Sequence, residues 1–180
     1  MKDSQDHESV QLNHTGGRLD NRLDHDKILP IAPIAKERPD LQLTGMAGEF
    51  LAVGKLFKRG YQASVTFGNA KGIDVLVHNA KTDNTFAVQV KTLRSPNCFF
   101  INKEAIKTDH IYVFIFLNSF DSIEEFFIVP GADILADIDK FFGSSYKNPE
   151  KPSTMPAINY GPLKPYKDNW TIFDRPKRIE

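Results

Sequence analysis

The chain has 180 residues, 41% of them hydrophobic and 14 of them Phe, enough apolar material for one sizeable core but not for two full domains. Its 23 basic and 23 acidic side chains cancel, and its single cysteine, Cys98, excludes an internal disulfide and a cysteine-based zinc site. The longest apolar stretch, Ile111 to Leu117, is far too short to span a bilayer, and the opening residues carry no apolar run of the signal-peptide kind, so a cytoplasmic protein with no membrane partner is expected.

Residues 1–40 are polar, with eight acids and six bases and no sustained periodicity, and read as a disordered tail or a clasp onto a partner. His7, His14 and His25 fall here without the neighbouring acids or cysteines of a metal site. Residues 41–180 form the folded domain. Thr44 is positioned to cap a helix running to Lys58, closed by Arg59-Gly60. That helix puts Glu49 in register with Met46, Val53 and Leu56, where a carboxylate is costly unless it meets a cation or metal; a boundary position beside the apolar stripe is the alternative. Tyr61 to Phe67 reads as a first strand, and Ile111–Leu117 and Glu125–Val129 as later ones ended by Pro130-Gly131. Apolar residues at helical spacing from Ile134 to Phe142 predict a second helix, Ala132 to Phe142, stopping at Gly143. Five prolines in residues 144–166 predict an extended wrap, and Asn169 to Phe173 a last short strand. The order is that of an α/β fold, with a mixed central β-sheet flanked by helices.

The most informative segments lie between the first strand and Ile111. In Gly72-Ile73-Asp74-Val75-Leu76-Val77, Ile73, Val75 and Val77 alternate with Asp74, Leu76 and His78; in Phe86 to Thr92, Phe86, Val88, Val90 and Thr92 alternate with Ala87, Gln89 and Lys91. One face is core and the other polar. Asn79 to Asn84 is rich in turn residues, so the two segments pair as an antiparallel hairpin. Matching the apolar faces requires paired residue numbers with an odd sum, and a tight loop at Lys81-Thr82 or Thr82-Asp83 allows sums of 163 or 165. The first sets Asp74 opposite Gln89, the second opposite Lys91. Either register gathers an acid, an amide and an amine in one cross-strand neighbourhood.

Asp74, fourteen intervening residues, then Gln89-Val90-Lys91 resembles the PD-(D/E)XK nuclease superfamily, whose signature is an acid on one strand and an acid-x-Lys on the next. Gln89 in place of the second acid matches the D-QxK variant of the Mrr-like restriction endonuclease branch, and Gly48 to Tyr61, with Glu49, is similar to the family's first helix. Ile73 stands where the signature's Pro would be. The resemblance covers roughly residues 44 to 130 and implies a restriction-endonuclease-like core in a nuclease domain spanning 41–180. It also implies a metal-dependent endonuclease acting on DNA, with Glu49, Asp74, Gln89 and Lys91 as the catalytic set. Asp74, Gln89 and Glu49 would hold Mg²⁺, with Mn²⁺ as a substitute, through oxygen ligands. Lys91 would orient the attacking water or stabilise charge on the phosphate.

Charge counted by segment is consistent with a phosphate partner: Phe50 to Lys107 carries nine Lys and Arg against three acids, whereas Thr108 to Phe142 carries seven acids against one Lys. Arg94, Lys103 and Lys107 follow the motif and are candidate nucleic-acid contacts, with exposed-loop solubility as the alternative. Phe99 and Phe100 read as core rather than as base-stacking residues. His78 lies roughly 13 Å along the strand from Asp74, too far to join its site. Cutting two strands with one site per chain favours a homodimer. The competing readings are a structure-selective nuclease of the Holliday-junction resolvase type and a catalytically silent nucleic-acid-binding or partner-binding module on the same fold, the latter because Gln89 removes one charge from the site.

Overall fold

A five-stranded mixed sheet organises the chain in the computed structural model, which describes residues 40–66, 72–119, 121–143 and 156–176. Helix α1 (Leu41–Lys58) leads into β1 (Gln62–Val65), β2 (Val75–Asn79) and β3 (Asn84–Leu93); β4 (Phe99–Phe100), β5 (His110–Phe116) and β6 (Glu125–Pro130) follow. Helices α2 (Gly131–Ala136) and α3 (Ile138–Phe142), strand β7 (Ala157–Ile158) and helix α4 (Tyr160–Leu163) come next, and 3-10 turns occupy Lys103–Ala105, Lys164–Tyr166 and Trp170–Asp174. The sheet order is β1-β2-β3-β5-β6, antiparallel except for the parallel pair β3 and β5, while β4 and β7 form a separate two-stranded ribbon. This is the expected α/β architecture, a mixed central sheet with helices on both sides.

Two cores lie on the two faces of that sheet. Val75, Val77, Val88 and Val90 join Ile111, Val113 and Ile115 under α1, whose Ala52, Val53 and Leu56 are buried against them. On the other face Tyr112, Phe114 and Phe116 of β5 pack with Phe99, Ile134, Phe141 and Phe142. All seven residues of β5 are buried, as a central strand covered on both faces requires.

The hairpin takes the register of sum 163, with Val75 opposite Val88 and Asn79 opposite Asn84. Its four-residue turn is fixed by Asn79, whose Oδ1 accepts from the Lys81 amide at 2.9 Å, and by Asp83, which takes the left-handed conformation at φ 48°.

Several local expectations are corrected. The α1 N-cap is Asp40, not Thr44: its Oδ1 accepts from the amides of Gln42 and Leu43, while Thr44 lies inside the helix and its hydroxyl donates to the Asp40 carbonyl at 2.8 Å. The first strand begins at Gln62 and ends at Val65, and Phe67 lies outside the described residues. The second helix breaks at Asp137 (φ −139°, ψ 65°), whose carboxylate caps α3 by accepting from Lys140 N. Within residues 144–166 the described part, from Pro156, holds β7, α4 and a 3-10 turn rather than an irregular wrap. Asn169–Phe173 is not a strand: Trp170, Ile172 and Phe173 are buried, a spacing that a 3-10 turn can turn inward and an alternating strand cannot. The expected tail, residues 1–40, lies outside the described residues except for Asp40.

The buried row of α1 is Thr44, Gly48, Ala52 and Leu56, joined by Val53, so Met46 is left 39% exposed and Glu49 flanks the row, half-buried. Gly48 is the contact point with the sheet: a Cβ built on it would lie 1.8 Å from Thr92 Oγ1 on β3. Gly48→Ala should therefore lift α1 off β3 and destabilise the fold by about 1–3 kcal/mol. Gly45→Ala, whose added Cβ would meet nothing within 4 Å, should be neutral or stabilising by up to about 1 kcal/mol. Denaturant unfolding of the two variants distinguishes these outcomes.

Candidate active site

The main-chain ladder between β2 and β3 ends at Val75–Val88, but β3 continues to Leu93 beside β5. A wedge opens where β2 leaves β3, and Asp74 sits in it. Its amide donates to the Val88 carbonyl at 2.9 Å, its carbonyl accepts from the Thr66 amide at 2.9 Å, and its Oδ2 accepts from the Val90 amide at 2.7 Å. The Thr66 hydroxyl donates to the Ile73 carbonyl on the outer side of the same segment. One carboxylate oxygen thus replaces the missing ladder partner of β3, and the backbone on both sides holds it in place. An acid just ahead of an apolar strand thereby satisfies a main-chain donor while keeping its second oxygen, Oδ1, for another partner.

Gln89 and Lys91 flank Val90 on β3. Their register partners on β5 are Tyr112 and Phe114, so both side chains share the sheet face opposite α1. Both are half-buried, and neither forms a hydrogen bond or ion pair with another described residue. Lys91 is the next residue along β3 from Val90, whose amide the Asp74 carboxylate accepts from. Glu49 approaches from the α1 side. Its pKa is raised above the ordinary glutamate value, first by burial and then by the negative charge of Asp74. The close seating of Gly48 on Thr92 holds the next residue of the helix, Glu49, near the wedge.

Of the basic candidates, Arg94 is exposed just beyond β3, with its Nε donating to Thr44 Oγ1 in the first turns of α1 at 3.1 Å. Lys103 and Lys107 lie on a connection that crosses Tyr112: the Lys107 amide donates to the Tyr112 hydroxyl at 2.9 Å, and that hydroxyl donates to the Ala105 carbonyl at 3.4 Å. Tyr112 being the partner of Gln89, the connection lies over the face that carries Gln89 and Lys91. Phe99 is core, whereas Phe100 is 55% exposed. His78 is held away from the wedge, with Nδ1 3.0 Å from Thr85 Oγ1 near the hairpin turn.

Among the described residues no cluster of three His, Cys, Asp or Glu side chains is arranged to hold a metal ion. The oxygen donors of the candidate set are the carboxylates of Asp74 at the wedge and Glu49 on α1, and the side-chain amide oxygen of Gln89 on the sheet face opposite α1. They are the hard oxygen ligands that Mg²⁺ or Mn²⁺ takes, and the burial and the Asp74 charge that disfavour ionised Glu49 are what a bound cation would offset, so the residues fit such an ion. The Asp74 bond to Val90, the Gly48–Thr92 approach and the Arg94–Thr44 tether are not part of the sequence motif. The row of small residues Thr44, Gly48 and Ala52 at four-residue spacing is the sequence signal for the second of these.

No protein-family model and no curated protein matches the chain. Among solved structures it is similar to the bacterial homing endonuclease I-Ssp6803I, at 16% identity and a TM-score of 0.47, over 76% of this chain and 94% of that one. It is also similar to Hjc, a Holliday junction resolvase from Archaeoglobus fulgidus, at 15% identity and a TM-score of 0.42, over 67% of this chain and 87% of that one.

A carboxyl group whose native pKa lies above its unfolded value keeps its proton longer in the native state. It costs nothing at low pH and destabilises as the pH rises from the unfolded value through the native one. Wild type should therefore lose stability relative to Glu49→Gln as the pH climbs above the ordinary glutamate value of 4.5, with a constant difference once Glu49 is ionised. Thermal melts of the two proteins across that interval check the sign. In Asp74→Asn, whose amide oxygen can still accept from Val90, the Glu49 carboxyl titration followed by NMR should move back toward the ordinary value.

Proposed function

We propose that the chain is a metal-dependent endodeoxyribonuclease of the restriction-endonuclease-like type, with Glu49, Asp74, Gln89 and Lys91 as its catalytic set. The observation that carries this reading is the wedge between β2 and β3, where Asp74 is held by its bond to Val90 between Gln89 and Lys91, an amide and an amine with no partner among the described residues, and where its charge adds to the burial that raises the Glu49 pKa. A group of polar side chains left unpaired while half-buried is costly for a fold and is expected where a ligand completes it.

Bound by Asp74, Glu49 and the Gln89 side-chain oxygen, Mg²⁺ would polarise a phosphodiester and lower the pKa of a bound water. Asp74 is fixed for that work by its bond to Val90, which sets the direction of the carboxylate without consuming both oxygens. Lys91 contributes a cation on the same strand, two residues from Gln89, able to orient the attacking water or to balance negative charge building on the phosphate. Glu49 with its raised pKa holds a proton over a wider range than an ordinary glutamate, so metal loading through it weakens toward acid pH. Arg94, Lys103 and Lys107 are the proposed contacts to the DNA backbone, in the half of the sequence where bases outnumber acids. Two chains acting together would cut the two strands of a duplex.

Lys91→Ala should reduce cleavage of supercoiled plasmid in Mg²⁺ or Mn²⁺ by orders of magnitude with almost no change in melting temperature, because a half-exposed strand Lys contributes little packing. Full activity in that variant would contradict the assignment. A four-way junction run beside the plasmid separates a general endonuclease from a resolvase-type enzyme. With Gln89 neutral, Asp74→Asn should also remove the calorimetric heat of Mn²⁺ binding; a wild type that shows neither cleavage nor metal heat would be a silent binding module.

A further inference from the structure

The outer face of α1 is unusual for a helix packed on a sheet. Leu43, Met46, Phe50 and Phe57 follow one another at spacings of three, four and seven residues, with Gly54 between the last two, and they lie opposite the buried row of Thr44, Gly48, Ala52 and Leu56. Leu43 is 59% exposed, Phe50 53% and Phe57 56%. From Leu41 to Phe57 the helix holds two charged residues, and neither belongs to the stripe: Glu49 flanks the wedge, and the Lys55 ammonium lies 5.1 Å over the Phe126 ring. The exposed part of these side chains is on the order of 400–500 Å² per chain, more than half of the roughly 800 Å² that each partner buries in a standard interface. A continuous apolar stripe of this size with no charge in it is of the kind that is often functional on a monomer's surface.

We infer that this stripe is the contact between two copies of the chain, packed as antiparallel α1 helices about a two-fold axis at Phe50. The pattern is self-complementary in that arrangement, pairing large residues with large ones and Met46 with a glycine, whereas a parallel pair would leave each Gly54 facing the other. With Phe50 facing its own copy, Leu43 meets Phe57 of the second chain and Met46 meets Gly54, where an added Cβ would find nothing within 4 Å and the flexible thioether finds room. The ends also match in charge. Asp40 is the N-cap and Lys58 lies in the last turn, so antiparallel pairing brings the acidic end of one helix to the basic end of the other, twice by symmetry. Antiparallel helices also oppose their dipoles favourably. The axis at Phe50 is one residue from Glu49, so the two wedges would stand on either side of it. This gives a surface to the homodimer of the proposed nuclease, but it rests on the stripe alone and is read by assembly, not by cleavage.

The full chain at micromolar concentration should sediment as a dimer, and Phe50→Glu should sediment as a monomer with a melting temperature close to wild type, since Phe50 is more than half exposed. In a Cys98→Ser background, Phe50→Cys should form a disulfide-linked dimer on mild oxidation. Leu43→Cys alone should stay unlinked, and the Leu43→Cys/Phe57→Cys pair should link. A monomeric wild type overturns the proposal, as does a Phe50→Glu variant that remains dimeric. Efficient linking of Leu43→Cys alone also overturns it, by showing a parallel contact. A monomeric wild type in which Phe50→Glu makes residues 1–39 newly sensitive to protease would assign the stripe to the chain's own N-terminal segment instead.

Discussion

The amide of Val90 lies just beyond the point where β2 leaves β3, and the carboxylate of Asp74 meets it at 2.7 Å. The candidate site depends on that bond. A strand that diverges from its neighbour exposes main-chain donors, and a buried donor without a partner costs about 1–3 kcal/mol. A side-chain carboxylate repairs the loss and at the same time places an anion inside the opening. The acid is therefore structural through one oxygen and available through the other. A turn or strand-end acid without this bond would be free to rotate into solvent.

The second constraint is the distance between α1 and the sheet. Because Gly48 has no side chain, the helix sits directly on Thr92, and Glu49 is carried near enough to Asp74 to feel its charge. The Thr92 hydroxyl, buried in that contact, has no hydrogen-bond partner among the described residues, a polar cost accepted at the same place. Around this centre the remainder of the fold is ordinary packing. The C-terminal residues fasten the far end of the hairpin: the Asn79 side-chain amide donates to the Phe173 carbonyl at 2.9 Å, and the Tyr61 hydroxyl donates to Asp174 at 2.8 Å, with burial first and then that carboxylate pushing the Tyr61 pKa up to about 12. Arg59 stacks over Trp170 at 4.5 Å from the ring centroid and ties the end of α1 to the same segment.

The hairpin was legible because period-two alternation, a turn-rich connection and the requirement that valines share a face are all local statements. The choice between its two registers was not, since it turned on whether Asn79 would close a four-residue turn. The α1 cap misled for a similar reason. Asp40 and Thr44 are both capping residue types one helical turn apart, and the difference lies in which side chain reaches free amides. The break at Asp137 was hidden because Ile134, Leu135, Ile138, Phe141 and Phe142 keep an apolar spacing through it. In the site, Asp74, Gln89 and Lys91 could be grouped from strand arithmetic, whereas the approach of Glu49 depends on a helix-to-sheet distance set by Gly48 and Thr92, residues 44 positions apart in the chain.

In the proposed nuclease Asp74 and Glu49 form one cation site at the wedge. A titration of Mg²⁺ followed by NMR tests it most directly, reading the Val90 amide, the Glu49 carboxyl and the acidic surface in one experiment. Saturable shifts at Val90 and Glu49, with little change at Asp109, Asp121 or Asp133, are the predicted result. Shifts that grow without saturating and spread evenly over those distant acids, leaving Val90 unmoved, would contradict it.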